Sequence, residues 1–352
     1  MHAPTPNPCC SIIPSHLLRR MAQNGSPAQR ATALATLATD ETVRLARATY
    51  QLLDGGAPSL PLVALGAKAR SVYNARNLEV LPGKLVRSEG SADAKDQAVN
   101  EAYAGLGATF DFFAAAYGRN SIDDEGMHLD ATVHYGRRYD NAFWNGRQMV
   151  FGDGDGDLFN RFTIALDVIA HELAHGVTGD EARLVYTGES GALNESVSDV
   201  FGSLVKQYVR REKAADADWL IGAGLFTARV QGVALRSMKA PGTVFDDPVL
   251  GKDEQPAHMR DFVHTSMDHG GVHINSGIPN RAFYLMATVL GGYAWEQAGR
   301  VWYETLRDKR LKPTATFAQF ARATAINAGH LFGTKVRKAV VAGWNEVGIR
   351  AG

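Results

Sequence analysis

Residues 167–177 read Asp-Val-Ile-Ala-His-Glu-Leu-Ala-His-Gly-Val, and they confine the fold more than any other stretch of the chain. Val168, Ile169, Leu173 and Val177 recur at helical spacing and call for burial. His171 and His175 are four residues apart, so one helix face carries both imidazoles, one above the other. Two histidines and Glu172 on a helix that otherwise belongs in a core need a partner inside the protein. A single ion shared by the imidazoles meets that need. The pattern predicts zinc, with Glu172 on the adjoining edge, where it can hold a water.

A tetrahedral catalytic zinc takes a third protein ligand and keeps one position open. Downstream, Gly188-Glu-Ser-Gly-Ala-Leu-Asn194-Glu195-Ser-Val-Ser-Asp199 places Glu195 and Asp199 four apart on a second predicted helix. Ala192, Leu193, Val197, Val200, Phe201 and Leu204 flank them, which argues for a buried helix over a solvated acidic face. Glu195 is therefore expected to coordinate. Asp199 is expected to reach the second nitrogen of a ligand histidine and fix its tautomer.

The surrounding pattern divides in two. From about residue 71 to 156, β-type runs (72–73, 78–81, 132–135, 148–151) accompany one long helical candidate, 93–117. Beyond residue 157 the reading is mostly helical: 163–177, 191–210, 278–290, 292–308 and 316–331. Strand-rich first and helix-rich second predicts an α+β fold of two lobes. A helix is expected over 40–53, ended by Asp54-Gly-Gly-Ala-Pro, so the N-terminal segment reads as an appendage and linker. The division is 1–60 for that segment, 61–180 for the first lobe with the His-Glu-Leu-Ala-His helix at its end, and 181–352 for the helical lobe.

Lys+Arg and Asp+Glu balance at 37 each, which gives no electrostatic reason for a nucleic-acid or membrane-surface partner. The two cysteines, Cys9 and Cys10, are adjacent and have nothing else to pair with, so packing and metal must hold the fold. No apolar run is long enough to span a bilayer. The N-terminus lacks a signal-peptide h-region, which predicts cytoplasmic synthesis and at most a non-classical exit.

Taken together, these motifs resemble the thermolysin-type metallopeptidases. The match extends to Asn141-Ala-Phe-Trp-Asn-Gly, Gly152-Asp-Gly-Asp-Gly, Leu235-Arg236-Ser-Met and Asp268-His-Gly-Gly-Val-His273-Ile-Asn-Ser-Gly, and covers the chain from about Ser71 onward. The resemblance implies a two-lobed thermolysin-like fold and endopeptidase activity on the amino side of large apolar residues. It implies zinc on His171, His175 and Glu195, with Asp199 behind them and Glu172 as the general base. Tyr186 and His273, the latter oriented by Asp268, would stabilise the oxyanion. Asn141, Ala142 and Arg236 would hold the substrate backbone, and Phe159, Val168, Ile221 and Leu235 would surround the pocket after the scissile bond. His273 follows Gly-Gly and reads as a loop residue. A catalytically silent zinc protein and an exopeptidase are the competing classes. Against the first, the water activator and oxyanion donors are present; against the second, no terminus-binding charge is evident.

Three features qualify the resemblance. Asp153-Gly-Asp-Gly-Asp157 fails the calcium-loop template and reads as a turn. Asp167 and Asp218 match two carboxylates of the family's double calcium site, but Lys206, Leu220 and Ala223 stand at the other three. A lysine cannot ligate calcium, so that site is expected to be absent, with the Lys206 ammonium supplying the positive charge. Finally, Ser11-Ile-Ile-Pro14-Ser-His16-Leu17-Leu18 resembles the short propeptide of protealysin-like members, with Ser15 in place of a second proline. Pro14, Leu17 and Leu18 are then the expected plug of the substrate pocket, and maturation would cut between about Gln51 and Arg70. Cys9 or Cys10 could also cap the zinc. The expected partners are peptide substrates and the chain's own propeptide, acting on a monomer.

Overall fold

The computed structural model describes the backbone of residues 11–53 and 66–352, and the side chains of all of these except 44–53. Cys9, Cys10, the linker from residue 54 and most of the expected maturation stretch lie outside the described residues. The N-terminal segment forms two helices, α1 (Ser15–Asn24) and α2 (Pro27–Leu53), so the helix expected over 40–53 begins thirteen residues earlier.

The first lobe carries β1 (Arg70–Asn74), β2 (Lys84–Ser88), α3 (Gln97–Tyr117), β3 (Leu129–Val133), β4 (Ala142–Trp144) and β5 (Gln148–Phe151). The strands make one sheet in the order β2-β1-β3-β5-β4. Its three inner strands are parallel and both edges antiparallel. The run 78–81 is a turn, not the expected strand. Arg76 and Asn77 take positive φ, the Leu78 N–H bonds back to Ala75 O, and Leu78 and Val80 face solvent. Apolar composition alone does not make a strand when the backbone closes its bonds locally. Similarly, α3 starts at Gln97 because the Asp96 carboxylate caps it at Ala98 N–H, while Asp93 pairs with Arg87.

The second half is helical: α4 (Leu166–Asp180), α5 (Gly188–Arg210), α6 (Asp268–Asn275), α7 (Gly277–Leu290), α8 (Ala298–Leu306), α9 (Phe317–Phe332) and α10 (Thr334–Glu346). The helix expected over 292–308 is shorter at its start, because Gly291 and Gly292 both take positive φ. Phe113 of α3 meets Phe201 of α5 at 5.3 Å between ring centroids, and Tyr117 stacks on Tyr303 of α8 at 4.5 Å. This aromatic seam ties the sheet-bearing lobe to the helical one.

One glycine sets the separation that matters most. A Cβ on Gly202 of α5 would lie 2.5 Å from Asp167 O of α4. Any side chain there would force the two helices apart. Their close approach brings the Glu195–Asp199 face of α5 onto the His171–His175 face of α4.

Candidate active site

His171, Glu172 and His175 of α4 and Glu195 and Asp199 of α5 are all at most 4% exposed. The outer nitrogen of each imidazole is engaged. His171 Nδ1 lies 2.8 Å from Asp199 Oδ1, and His175 Nδ1 lies 2.8 Å from Asn194 Oδ1 and 2.9 Å from Ser198 Oγ. With those contacts made, the two Nε2 atoms face each other at 3.1 Å, each 3.5 Å from an oxygen of Glu195. One ligand atom from each of the three residues falls within 4.8 Å of the others. Glu195 Oε2 and Glu172 Oε1 are buried without a hydrogen-bond partner among the described residues. Converging donors with orphaned buried oxygens fit a divalent cation, and two imidazoles with one carboxylate are the donor set of a catalytic zinc.

The electrostatics separate the two imidazoles. Burial drives the His175 imidazole down to about 3, the neutral form a metal requires. Burial also opposes charge on His171, but Asp199 and Glu195 outweigh it and raise that group to about 9. Burial likewise works against ionising Glu195, yet His273, His175 and His171 hold its carboxyl well below the usual range. Glu172 is raised to about 8, by burial first, while its Oε2 accepts the Trp144 N–H at 3.1 Å.

The remaining predicted residues gather around this cluster. The Tyr186 hydroxyl donates to Glu195 and stands 3.2 Å from His273 Nε2. Asp268 grips His273 twice, at its ring Nδ1 (2.6 Å) and at its backbone N–H (2.8 Å). His273 is not the loop residue expected. It lies in the regular end of α6, after a left-handed stretch over Asp268, His269, Gly270 and Gly271. Arg236 makes two bonds to Asp199, both at 2.8 Å. Sequence reasoning missed Asn280, whose Nδ2 donates to Asp199 Oδ2 at 2.8 Å, and Asn194, whose only signal was its place beside Glu195.

The cleft already holds a peptide. Ser11 bridges antiparallel to Phe143 on the edge strand β4. The Ile12 N–H donates to Ala142 O at 3.1 Å, and Ile12 O accepts from Arg236 at 3.3 Å. The Ile13 N–H donates to Asn141 Oδ1 at 2.9 Å, and Ile13 O accepts from Asn141 Nδ2 at 3.2 Å. Asn141, Ala142 and Arg236 thus hold the backbone of Ile12 and Ile13, and the expected plug residues Pro14, Leu17 and Leu18 follow directly, at the start of α1 and on it. Pro14 caps α1 and bends the chain away from the strand. Leu17 and Leu18 are buried on α1, Leu17 beside Leu235, Arg236 and His273. Phe159, Val168, Ile221 and Leu235 are all buried, and Phe159 also packs on Phe162 and Phe226.

Away from the cleft, Lys206 Nζ lies 2.8 Å from Asp167 Oδ2, 2.8 Å from Asp218 Oδ1 and 2.6 Å from Leu220 O. The Asp153–Asp157 stretch is a turn, in which Asp155 Oδ1 accepts the N–H groups of Asp157, Leu158 and Phe159.

Fold and site together define a zinc metallohydrolase whose candidate metal ligands lie where α4 meets α5. Residues 32–179 match the catalytic domain and residues 182–349 the alpha-helical domain of the thermolysin metallopeptidases. The chain is 53% identical to an extracellular metalloprotease of Pectobacterium carotovorum subsp. carotovorum over 97% of both chains. It is 48% identical to Protease PrtS of a Photorhabdus strain, over 96% of this chain and 92% of that one. The solved precursor of protealysin, a metalloproteinase from Serratia proteamaculans, superposes with a TM-score of 0.89 at 54% identity, over 97% of this chain and 99% of that one. The chain belongs to the thermolysin family of zinc metalloendopeptidases, in its protealysin-like branch, and carries a propeptide.

Proposed function

We propose that this endopeptidase is latent as it stands, because residues 11–13 lie in the cleft as a substrate would. The observation that carries this reading is the set of four backbone bonds from Ile12 and Ile13 to Ala142, Arg236 and Asn141. The chain runs antiparallel to the edge strand, a mode by which extended peptides are commonly recognised.

His171, His175 and Glu195 would hold the zinc, which when bound supplies Lewis-acid polarisation and acidifies a water. Glu172 would take a proton from the attacking water at Oε1, its other oxygen being held by Trp144 N–H, and return it to the leaving amine. Tyr186 and His273 donate to the developing oxyanion, and Asp268 fixes the His273 ring. Arg236, Ala142 and Asn141 position the substrate backbone as they do that of Ile12 and Ile13. Val168 and Leu235, with Phe159 and Ile221, line the pocket after the scissile bond and favour a large apolar residue there.

Lys206 takes the place of the family's double calcium site, leaving zinc as the only metal required. Residues 1–60 are propeptide and linker, 61–180 and 181–352 the two catalytic lobes, and maturation cuts between about 51 and 70. The enzyme acts on peptides and proteins as a monomer, with no nucleic-acid or membrane partner. No helix among the described residues is long and apolar enough to cross a membrane, and relatives named extracellular proteases support release from the cell.

The test is an internally quenched peptide, blocked at both ends, with Leu or Asp after the target bond. The linker-cut chain should cleave only the Leu peptide, lose this activity to a zinc chelator and regain it with zinc. Equal activity of the uncut chain would overturn latency. Dependence on a free terminus would make the protein an exopeptidase.

A further inference from the structure

Asp40, on α2, presses a carboxylate into the catalytic half. One of its oxygens accepts from the Tyr139 hydroxyl, and the other accepts from Asn141 Nδ2 at 2.9 Å. Asp40 is 5% exposed, Tyr139 3% and Asn141 fully buried. A helix carboxylate is thus sealed against two donors that belong to the peptidase.

The location of these donors is informative. The same Asn141 amide accepts the Ile13 N–H and donates to Ile13 O. The Asp40 carboxylate therefore sits beside the backbone of Ile13; with Ile12 taken as the residue after the scissile bond, Ile13 is the second. Two neutral donors converging on the two oxygens of one carboxylate make a fork suited to an anion. The residue between them does not spoil it. Asp140 is buried, and burial together with nearby Asp155 pushes its carboxyl well above the usual range, which disfavours a charge there. Asp140 also donates its N–H to Thr36 Oγ of α2, at 3.3 Å. When α2 departs on processing, Tyr139 and Asn141 remain on the enzyme and lose Asp40 as acceptor.

Resting on the endopeptidase reading above, we propose that Tyr139 and Asn141 form a carboxylate-binding subsite on the leaving-group side of the cleft. In the latent chain Asp40 fills it. In the processed enzyme a carboxylate of the substrate takes its place: an Asp or Glu side chain two or three residues past the scissile bond, or a free α-carboxylate at the second residue. Tyr139 is then a specificity-determining residue.

The processed enzyme is assayed on doubly blocked peptide pairs that differ only by Asp or Asn at the second or the third residue after the bond. A further pair ends at the second residue as free acid or as amide. A charge-assisted pair of hydrogen bonds should favour the acid in at least one pair by about tenfold in kcat/KM, and that pair identifies the source. Tyr139→Phe should bring the ratio towards one. Ratios near one in every pair, with the neutral peptides still cut, overturn the subsite. A second measurement on the full chain needs no catalysis. Acetate, but not chloride at equal ionic strength, should raise the melting temperature of Asp40→Ala, and this rise should vanish in Asp40→Ala/Tyr139→Phe. Equal responses of the two variants overturn the proposal. If no peptide is cut, the endopeptidase reading fails and the melting data alone decide the subsite.

Discussion

The Lys206 ammonium sits 2.8 Å from the Asp167 carboxylate, with Asp167 only 2% and Lys206 only 4% exposed. Burial opposes the charge on Lys206, but Asp167 and Asp218 more than compensate and raise its pKa. Lys206→Met removes the cation and leaves Asp167 buried in the first turn of the zinc-binding helix. Breaking a buried pair in this way costs about 3–5 kcal/mol. A large fall in melting temperature is expected, and added calcium should not raise the melting temperature of the unmodified chain. Calcium-dependent stabilisation of that chain would refute the assignment of Lys206.

Glu172 makes no hydrogen bond through Oε1 to a described residue, and the zinc ligands need nothing from it. Glu172→Gln should keep one zinc per chain by elemental analysis while lowering kcat of the linker-cut enzyme about 10²–10⁴-fold. Retained activity would exclude it as the base.

Asp199 holds His171 Nδ1 and is itself held by Arg236 and Asn280. Replacing a carboxylate that orients a ligand histidine typically weakens metal binding about 10–100-fold. Asp199→Asn should therefore release zinc to a competing chelator at correspondingly lower concentration. Unchanged competition would reduce Asp199 to an anchor for Arg236.

Latency should depend on Ile12 more than on Leu17 or Leu18. Ile12 is fully buried, a contribution of about 1.5–3 kcal/mol for a side chain of this size. Ile12→Gly should raise the residual activity of the uncut chain on a quenched peptide by at least about tenfold. A larger effect from Leu18→Gly than from Ile12→Gly would place the plug on α1.

Acid should loosen the propeptide. Burial drives the His16 imidazole of α1 from 6.5 down to about 4. Asp268 acts against that shift; His273, Arg20 and Arg236 add to it. The folded pKa of this base is depressed, so its contribution is complete above pH 6.5 and is lost as pH falls towards 4, reaching about 3 kcal/mol at most. His16→Leu should flatten the fall in melting temperature between pH 6.5 and 4. An identical slope in both chains would remove His16 from the account.

Much of the site was legible in order of residues alone, because helical spacing converts sequence distance into direction. His171 and His175, and Glu195 and Asp199, share faces for that reason. Asn194, Asn280 and Asp40 were not legible. Each is a polar residue that takes its role from a partner many residues away: Asn280 acts on Asp199 and Asp40 on Asn141. The grip on Ile12 and Ile13 was not legible for the same reason. Leu17 and Leu18 are the more conspicuous apolar pair, but Pro14 bends the chain and leaves Ile12 and Ile13 extended along β4.

The His171-Glu-Leu-Ala-His175 run by itself determined the metal, the helix and the edge on which Glu172 stands, since these follow from local periodicity and ligand chemistry. Only the tertiary structure decided what closes the site. The close approach at Gly202 carries Glu195 to the two imidazoles, the left-handed bend before Val272 turns His273 towards Tyr186, and β4 captures the segment at Ser11 and Ile12. Those contacts join residues far apart in sequence, and their positions depend on packing that no local pattern records.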